Sequence, residues 1–213
     1  MVRVPVRINM QSITSGHRTR GLVASVALFT MFLLSNSDVQ ANTANMLIDD
    51  FSDLSLQSKL GSTWRGVSDS VMGGVSEANI SHEVSGEENC LRLIGDVRLE
   101  NNGGFIQAAL DLTSDNSTLD ASEFTGIRLV AKGNGQQYSL HLLTADNTRP
   151  WQSNRAHYVA RSDVQTFKLP FSEFEPYRIA EPIDITKLRR LGIVAIGRQF
   201  QADLKICRLE FYR

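Results

Sequence analysis

The stretch that decides the fold is Trp64-Arg65-Gly66-Val67-Ser68-Asp69-Ser70-Val71-Met72-Gly73-Gly74-Val75-Ser76. It combines a large aromatic residue, a carboxylate and a Gly-Gly pair, which is too irregular for a helix and too apolar for a solvent-exposed loop. Glycine reaches positive φ and permits close backbone approach, so Gly73-Gly74 predicts a turn or bulge that leads into a strand. Trp64 is predicted to anchor the core, because a buried indole removes a large apolar area from water and needs one partner for its N–H.

Asp69 is the acid of this stretch, and two interpretations of it are open. In the first, its carboxylate accepts backbone N–H bonds and fixes the turn before Met72, as Asx residues commonly do. In the second, it helps to form a polar ligand site beside Trp64. Nothing in the neighbouring residues distinguishes the two.

Short apolar or alternating segments separated by turn residues recur along the chain. They predict strands over residues 46–51, 78–84, 90–97, 105–110, 127–132, 138–142, 164–169, 191–196 and 204–211. Helical turns are expected over 52–60 and 183–188, and residues 146–161 form a polar segment that contains aromatic residues. Many short strands with little helical periodicity predict an all-β fold, an antiparallel β-sandwich with short helical turns.

Glycine-containing turns suggest how some of these strands are connected. The segment Gly133-Asn134-Gly135 lies between two alternating segments and predicts a β-hairpin. A second Gly-Gly pair, Gly103-Gly104, precedes Phe105 as Gly73-Gly74 precedes another strand. Two such pairs suggest two close chain crossings within one sheet.

Residues 1–41 have the pattern of a targeting leader. Four arginines and no acid before Asp38 accompany an uncharged apolar run over 21–34, which is short for a membrane span and suits a secretory signal. Val39-Gln40-Ala41 predicts cleavage after Ala41. Export, to the periplasm, is the preferred interpretation because all four arginines precede the apolar block. A mitochondrial transit peptide, which spreads its arginines along an amphipathic face, is the alternative.

The mature chain, residues 42–213, is long enough for a single domain with a good core, and no transmembrane span is expected in it. It keeps 18 basic and 22 acidic residues, a formal charge of −4. This balance disfavours nucleic acid as a partner, since such binding depends on clustered cations. The one dense basic segment, Lys187-Leu188-Arg189-Arg190, is interpreted as a solvated face.

Cys90 and Cys207 lie in strand-like segments. In an oxidising compartment they can form a disulfide if their strands are neighbours, and otherwise they are separate buried thiols. No Cys/His spacing suggests zinc, and the histidines of the mature chain are isolated from one another, so no metal or cofactor is predicted.

Motifs for catalysis are missing from the sequence. It contains no Gly-x-Ser-x-Gly motif, no zinc motif and no phosphate-binding loop. The paired carboxylates Asp49-Asp50 and Glu87-Glu88 would point to opposite faces of an extended chain, which disfavours joint acid/base chemistry. A non-enzymatic protein is therefore expected.

One cluster has the chemistry of a carbohydrate-binding surface, which commonly uses aromatic platforms with hydrogen-bonding neighbours. The cluster consists of Trp151, Gln152, Asn154, Arg155, His157 and Tyr158. In the alternative interpretation, Trp151 and Tyr158 cover a sheet edge while the polar groups face water.

The sequence resembles the family of complex I intermediate-associated protein 30 (CIA30) over about residues 46–211. The resemblance is carried by Trp64, Val67, Asp69, Val71, Met72, Gly73, Gly74 and Ser76, then Asn102, Gly103, Gly104 and Phe105, then Gly126-Ile127-Arg128-Leu129, Gly133-Asn134-Gly135, Tyr138 and Leu169-Pro170-Phe171.

This resemblance implies a galactose-binding-like jelly roll. It also implies a non-catalytic assembly factor whose partners are subunits of respiratory complex I or of another membrane complex. An exported carbohydrate-binding module is the alternative function. The family motif positions serve either the fold or a ligand: Trp64, Asp69, Met72, Gly73, Gly74, Ser76, Gly103, Gly104 and Phe105.

Overall fold

The computed structural model describes residues 44–213; the predicted leader over residues 1–41 and its cleavage site lie outside the described residues. The strands are β1 (Met46–Asp49), β2 (Arg65–Ser68), β3 (Glu77–Ser85), β4 (Glu88–Val97), β5 (Phe105–Asp111), β6 (Gly126–Gly133), β7 (Gln136–Thr144), β8 (Ser153–Ala160), β9 (Gln165–Pro170), β10 (Glu175–Tyr177), β11 (Leu188–Ile196) and β12 (Phe200–Tyr212). Short 3₁₀ turns occupy Asp69–Met72, Glu100–Asn102, Phe171–Glu173 and Ile185–Lys187. Within residues 44–213, no helix has the length and hydropathy that crossing a membrane requires.

The strands form two antiparallel sheets of six strands each. The first sheet has the order β3-β4-β12-β6-β9, and β1 also pairs with β12. The second sheet has the order β10-β8-β7-β11-β5-β2. Alternate side chains of a strand point to opposite faces, and in each sheet the apolar set points inward. The predicted all-β sandwich is therefore confirmed.

Apolar side chains from both sheets fill the space between them, and their burial is the main favourable term for folding. Those of the central strands are Leu91, Leu93, Ile106, Leu110, Ile127, Leu129, Tyr138, Leu140, Leu142, Leu191, Ile193, Leu204 and Phe211.

The hairpin predicted at Gly133-Asn134-Gly135 is wrong. β6 pairs with β12 and β9 in the first sheet, whereas β7 pairs with β8 and β11 in the second. The Asn134 side chain supports the crossing, since its Nδ2 donates to the Gln201 carbonyl at 2.8 Å and its Oδ1 accepts from the Tyr138 hydroxyl at 2.7 Å. The segment therefore passes from one sheet to the other instead of folding back beside itself.

Three further expectations are corrected. The two Gly-Gly pairs precede strands of different sheets, β3 and β5, rather than of one sheet. Residues 52–60 contain no helical turn; bends and an isolated bridge between Gln57 and Thr63 occupy this region. The polar segment 146–161 contains strand β8.

The helical turn expected within 183–188 is present at Ile185–Lys187.

A disulfide joins Cys90 and Cys207. β4 and β12 are neighbours, and Leu91 pairs with Ile206, so the two cysteines occupy the adjoining opposed positions. Both are buried. The tertiary pairing thus decides between the two states that the sequence left open.

Candidate functional site

Asp69 connects the two Gly-Gly segments. Its fully buried carboxylate accepts hydrogen bonds from the Ser76 N–H at 2.9 Å and the Ser76 hydroxyl at 2.5 Å. It also accepts from the N–H groups of Gly104 at 2.5 Å and Phe105 at 3.3 Å. We call Asp69, Ser76, Gly104 and Phe105 the Asp69 hub. The hub ties the start of β3 in one sheet to the start of β5 in the other.

The glycines beside the hub have two different roles. Gly73 and Gly104 have φ values of +88° and +127°, in a region that side chains disfavour. Gly74 and Gly103 instead lie against the carboxylate: an added Cβ would be 2.3 Å from Asp69 Cγ and 2.4 Å from Asp69 Oδ2, respectively. Each pair therefore contains one glycine for the turn and one for close approach to Asp69.

The hydrogen bonds set the charge state of Asp69. Burial by itself raises the pKa of this carboxyl, but the bonds from Ser76, Gly104 and Phe105 outweigh burial and hold the pKa below its ordinary value. The carboxylate is therefore ionised at neutral pH, and its charge strengthens the hydrogen bonds that it accepts.

Trp64 lies in a different environment from Asp69. It is buried against Phe51, and its Nε1 donates to Asp49 Oδ2 at 2.8 Å. Asp49 Oδ1 accepts from the Phe51 N–H at 2.9 Å. Trp64 is thus part of the core with one partner for its indole N–H. Asp69 and Trp64 have separate partners and Asp69 is fully buried, an arrangement that agrees with the first interpretation of this carboxylate, as an acceptor of backbone N–H bonds.

Apolar side chains project from the two segments that the hub holds together. Val71 is 72% exposed, Met72 56% and Leu99 50%, and Val75 is also exposed. Ser76 links the segments because its hydroxyl accepts from the Arg98 N–H at 2.9 Å, and Asn101 Nδ2 donates to the Gly73 carbonyl. We call Val71, Met72, Val75 and Leu99 the motif surface.

The ligand surface predicted around Trp151 is divided by β8. Tyr158 points into the core, where its ring centre lies 4.9 Å from that of Phe167, and Asn154 is also buried. Arg155 and His157 point to the outer face of the second sheet, the face away from the core. Trp151, Gln152, Arg155 and Tyr158 therefore do not form one surface.

Trp151 and its neighbours remain as a smaller surface. Trp151 is 47% exposed. Gln152 fixes its loop by accepting from the N–H groups of Thr148 and Arg149 and donating to the Arg178 carbonyl at 3.0 Å. These bonds hold the loop after β7 against the chain that follows β10.

On the outer face nearby, the Arg155 guanidinium lies 3.5 Å from the centre of the Tyr177 ring, a cation–π contact. Arg155 Nε also donates to Ser153 Oγ at 2.9 Å. Arg155 thus fixes the position of an aromatic ring that the sequence did not single out.

Ser139 and His141 form a buried pair on the same outer face, with Oγ and Nε2 3.0 Å apart. Burial, together with the electrostatic effect of the neighbouring Arg155 and His157, lowers the pKa of His141 to about 3. A nucleophilic serine needs a histidine that takes up its proton, usually beside an acid that stabilises the imidazolium. The surroundings of His141 oppose that protonation, so this pair lacks the electrostatics of a hydrolytic site.

A cavity of about 180 Å³ opens where β7 ends and β11 begins. Leu143 and Arg190, which are paired across these strands, line it, and Asn147 and Arg149 from the following loop form a wall. A register shift between Leu188 and Arg190 adds Arg189 to the lining. We call this site, whose lining also includes Asp111, the arginine cavity.

Asp111 is the acid in the arginine cavity, and two cations neutralise it. Its Oδ1 accepts from Arg190 Nε and its Oδ2 from Arg65 Nη2, both at 2.7 Å. Burial raises the pKa of Asp111, but Arg190 and Arg65 outweigh this effect and hold the pKa below its ordinary value. The cavity therefore keeps a surplus of positive charge.

Sequence reasoning missed most of this second region. From the sequence, Arg189 and Arg190 are expected on a solvated face, and Ser139, Arg149 and Tyr177 belong to no motif. One signal for this division is present in the sequence. If residues 153–160 are a strand, its alternation places Arg155 and His157 on one face and Asn154 and Tyr158 on the other. No signal in the sequence brings Asp111, the loop after β7 and the start of β11 together.

Solved structures with the same fold include carbohydrate-binding modules of Clostridium thermocellum. The family 11 module of the cellulase Lic26A-Cel5E is 11% identical with a TM-score of 0.63, and the alignment covers 81% of this chain and 96% of that module. The same kind of module in complex with a β-1,3-1,4-mixed-linked tetrasaccharide is 12% identical, with a TM-score of 0.60 and coverages of 81% and 97%. The family 30 module of Cel9D-Cel44B is 13% identical, with a TM-score of 0.56 and coverages of 78% and 96%.

At these identities the likeness shows the fold alone, and it confirms the predicted jelly-roll sandwich. No curated protein matches the sequence. The profile of the family described as complex I intermediate-associated protein 30 (CIA30) matches residues 50–206, which is most of the chain and includes both Gly-Gly segments. The chain therefore belongs to the complex I intermediate-associated protein 30 family.

Proposed function

We propose that this chain is a non-catalytic binding domain that holds a protein partner while a respiratory complex or another membrane complex is assembled. Membership of the complex I intermediate-associated protein 30 family supports an assembly role. The observation that carries the proposal is the motif surface, because the residues typical of the family build a rigid support for exposed apolar side chains.

The motif surface has the properties of a protein contact. Single exposed apolar residues are ordinary, but a cluster of them on adjoining segments indicates an interaction site. Met72 is flexible and polarisable, so it adapts to different apolar partners. The Asp69 hub fixes the backbone beneath, which reduces the entropy lost when a partner binds.

The electrostatics of the serine–histidine pair support a non-catalytic role. Ser139 and His141 place a hydroxyl and an imidazole within hydrogen-bonding distance, but His141 has Arg155 as a neighbour where a triad has an acid. Binding without chemical transformation agrees with this arrangement.

The proposal includes an exported, periplasmic location for the mature chain. The disulfide between Cys90 and Cys207 supports it, since disulfides persist in oxidising compartments. A mitochondrial location is the alternative that family membership favours.

The first prediction tests the motif surface. The double variant Val71→Asp/Met72→Asp should lose at least about tenfold of its partner affinity, because charged groups would replace apolar contacts at the interface. The tagged full chain is used to capture proteins from native membranes solubilised in mild detergent, and membrane-complex subunits are quantified by mass spectrometry. Thermal melting should show that the variant stays folded, since both side chains are exposed.

Val164→Asp is the matched control, because Val164 is also an exposed valine and lies outside the motif surface. This control should capture the same subunits as the wild type. The proposal fails if the wild type captures no membrane-complex subunits, or if the double variant captures them undiminished.

A carbohydrate-binding role is the second candidate, and the exposed indole of Trp151 beside the arginine cavity favours it. Arg149 and Pro150 line the cavity, and Trp151 follows them in the same loop. An exposed indole can stack on the apolar face of a sugar while hydrogen-bonding groups next to it bind hydroxyls.

The second prediction concerns this indole. Trp151→Ala should lower retention on a glycan array by about tenfold or more, as removal of an aromatic hot spot does, without unfolding the domain. Leu54→Ala, a change at another exposed apolar residue, should leave retention unchanged. Equal retention of the Trp151→Ala variant and the wild type would exclude Trp151 as a sugar platform.

A further inference from the structure

The arginine cavity carries an unusual concentration of positive charge for this protein. The mature chain has a formal charge of −4, whereas Arg149, Arg189 and Arg190 line one small cavity and Arg65 lies beside it. Asp111 is the acid opposed to these four cations. A concave site lined by one sign of charge focuses its field and raises the local concentration of the opposite ion.

Part of this positive charge is not neutralised by ion pairs within the described residues. Among residues 44–213, the guanidinium groups of Arg149 and Arg189 have no hydrogen-bonding or ion-pair partner, and Arg190 uses its Nε for Asp111. Nearby, Lys187 is paired with Asp184 at 3.0 Å, so it adds little to the field of the cavity. Asp146 lies in the same loop after β7 and is exposed, but it does not line the cavity.

The lining offers donors and few acceptors. Guanidinium groups present forked N–H donors that match the paired oxygens of carboxylate, sulfate and phosphate groups. Asn147 also lines the cavity, although its Nδ2, which has no partner in the described part of the chain, is itself buried. The oxygens of Asp111 already accept from Arg65 and Arg190. A neutral sugar needs both donors and acceptors, whereas an oxyanion needs donors alone.

The size of the cavity limits the ligand. Pockets for drug-sized molecules usually measure roughly 300–1,000 Å³, and this one measures about 180 Å³. It suits one acidic group with part of the ring that carries it, while the rest of a longer ligand lies outside. Trp151 follows Pro150 of the lining in the chain, and its exposed indole is available for contact with an adjoining ring.

We propose that the arginine cavity binds the acidic group of an anionic carbohydrate, either a uronate carboxylate or a sulfate ester, with Trp151 stacking on a neighbouring sugar. This inference rests on the second candidate function and adds the class of ligand. Arg149 and Arg189 supply the contacts that select an acidic sugar over a neutral one.

The experiment measures binding of the full chain to three polymers by affinity electrophoresis and calorimetry. Polygalacturonate carries carboxylates, a sulfated galactan carries sulfate esters, and a β-1,3-1,4-glucan is neutral. The wild type should bind at least one acidic polymer more tightly than the neutral glucan by about tenfold or more, as expected for charged hydrogen bonds. Arg149→Gln/Arg189→Gln should remove most of this preference, and both changes are at exposed positions.

Arg161→Gln is the matched control, since Arg161 is exposed and lies outside the cavity. It should leave the preference unchanged; an equal loss in this variant would indicate general charge attraction and overturn the inference. Equal affinity for neutral and acidic polymers would overturn the inference while leaving carbohydrate binding intact. Absence of binding to any of the three polymers would overturn both the inference and the carbohydrate-binding role. If inorganic sulfate displaces the bound acidic polymer as effectively as free polymer does, the cavity is a general anion site. This result would also overturn the inference.

Discussion

Replacement of Asp69 by alanine is expected to destabilise the domain by about 3–5 kcal/mol, because several buried donors would lose their acceptor at once. These donors are the N–H groups of Ser76, Gly104 and Phe105 and the hydroxyl of Ser76. The free energy of unfolding of such a domain is roughly 5–15 kcal/mol, so the variant would lose a large share of its stability. Urea unfolding followed by circular dichroism measures the change.

Asp163→Ala is the control for this prediction, since Asp163 is exposed. It should change the free energy of unfolding by less than about 0.5 kcal/mol. A loss below about 1 kcal/mol for Asp69→Ala would contradict the structural role assigned to the Asp69 hub.

The pH dependence provides a separate readout of the same carboxylate. The pKa of Asp69 is lowered in the folded state, so its stabilising contribution is complete above the unfolded pKa of about 4 and is lost as pH falls through the folded value. The difference in stability between the wild type and Asp69→Asn should therefore narrow as pH is lowered below about 4. A constant difference between pH 7 and pH 3 would show that the charge of Asp69 does not contribute.

Replacement of Trp64 by alanine is the other change with a large expected effect, a loss of about 3–5 kcal/mol. The indole is buried against Phe51, so its removal leaves a cavity and also leaves Asp49 Oδ2 without its N–H donor. Thermal and urea unfolding measure the loss. An unchanged free energy of unfolding would contradict the placement of Trp64 in the core.

Trp64→Phe separates the hydrogen bond from the packing. Burial already raises the pKa of Asp49, although the N–H groups of Phe51 and Trp64 oppose this effect. Without the indole N–H the pKa should rise further, and a raised pKa in the folded state makes stability fall as pH rises from the unfolded value towards the folded one. The variant should therefore lose more stability, relative to the wild type, at pH 7 than at pH 4. An equal loss at both pH values would show that the indole N–H does not stabilise the Asp49 carboxylate.

The Asp69 hub and the motif surface connect the fold to the proposed function. Gly74 and Gly103 permit the backbone to approach the carboxylate, and the exposed side chains of Val71 and Met72 are held on the same segments. A change in the hub would therefore weaken partner binding through loss of structure. The Val71→Asp/Met72→Asp variant tests the contact itself, because these side chains take no part in the hydrogen bonds of the hub.

Local sequence signals sufficed for the class of fold. Alternating residues in β3, β6 and β12 and the turn glycines between strands are properties of a few neighbouring residues, and they predict strands wherever they occur. The burial of Trp64 and the importance of Asp69 beside two Gly-Gly pairs were also accessible, because an indole and a lone acid in an apolar stretch each require a specific environment.

The pairing of the strands could not be predicted from local sequence signals. Gly133-Asn134-Gly135 gives the local signal of a hairpin, but β7 finds its partners in β8 and β11, which lie later in the chain. β8 itself was missed because its inward set includes Asn154 and Tyr158, so its alternation is not a simple apolar–polar pattern.

By itself, the sequence determined an all-β domain with a buried tryptophan and a glycine-rich family motif. The tertiary structure alone decided that Asp69 joins the two Gly-Gly segments, that Cys90 and Cys207 form a disulfide, and that arginines distant in sequence line one cavity. The physical reason is that secondary-structure preferences depend on adjacent residues. Hydrogen bonds, disulfides and charged cavities depend on which distant segments the packed sheets bring together.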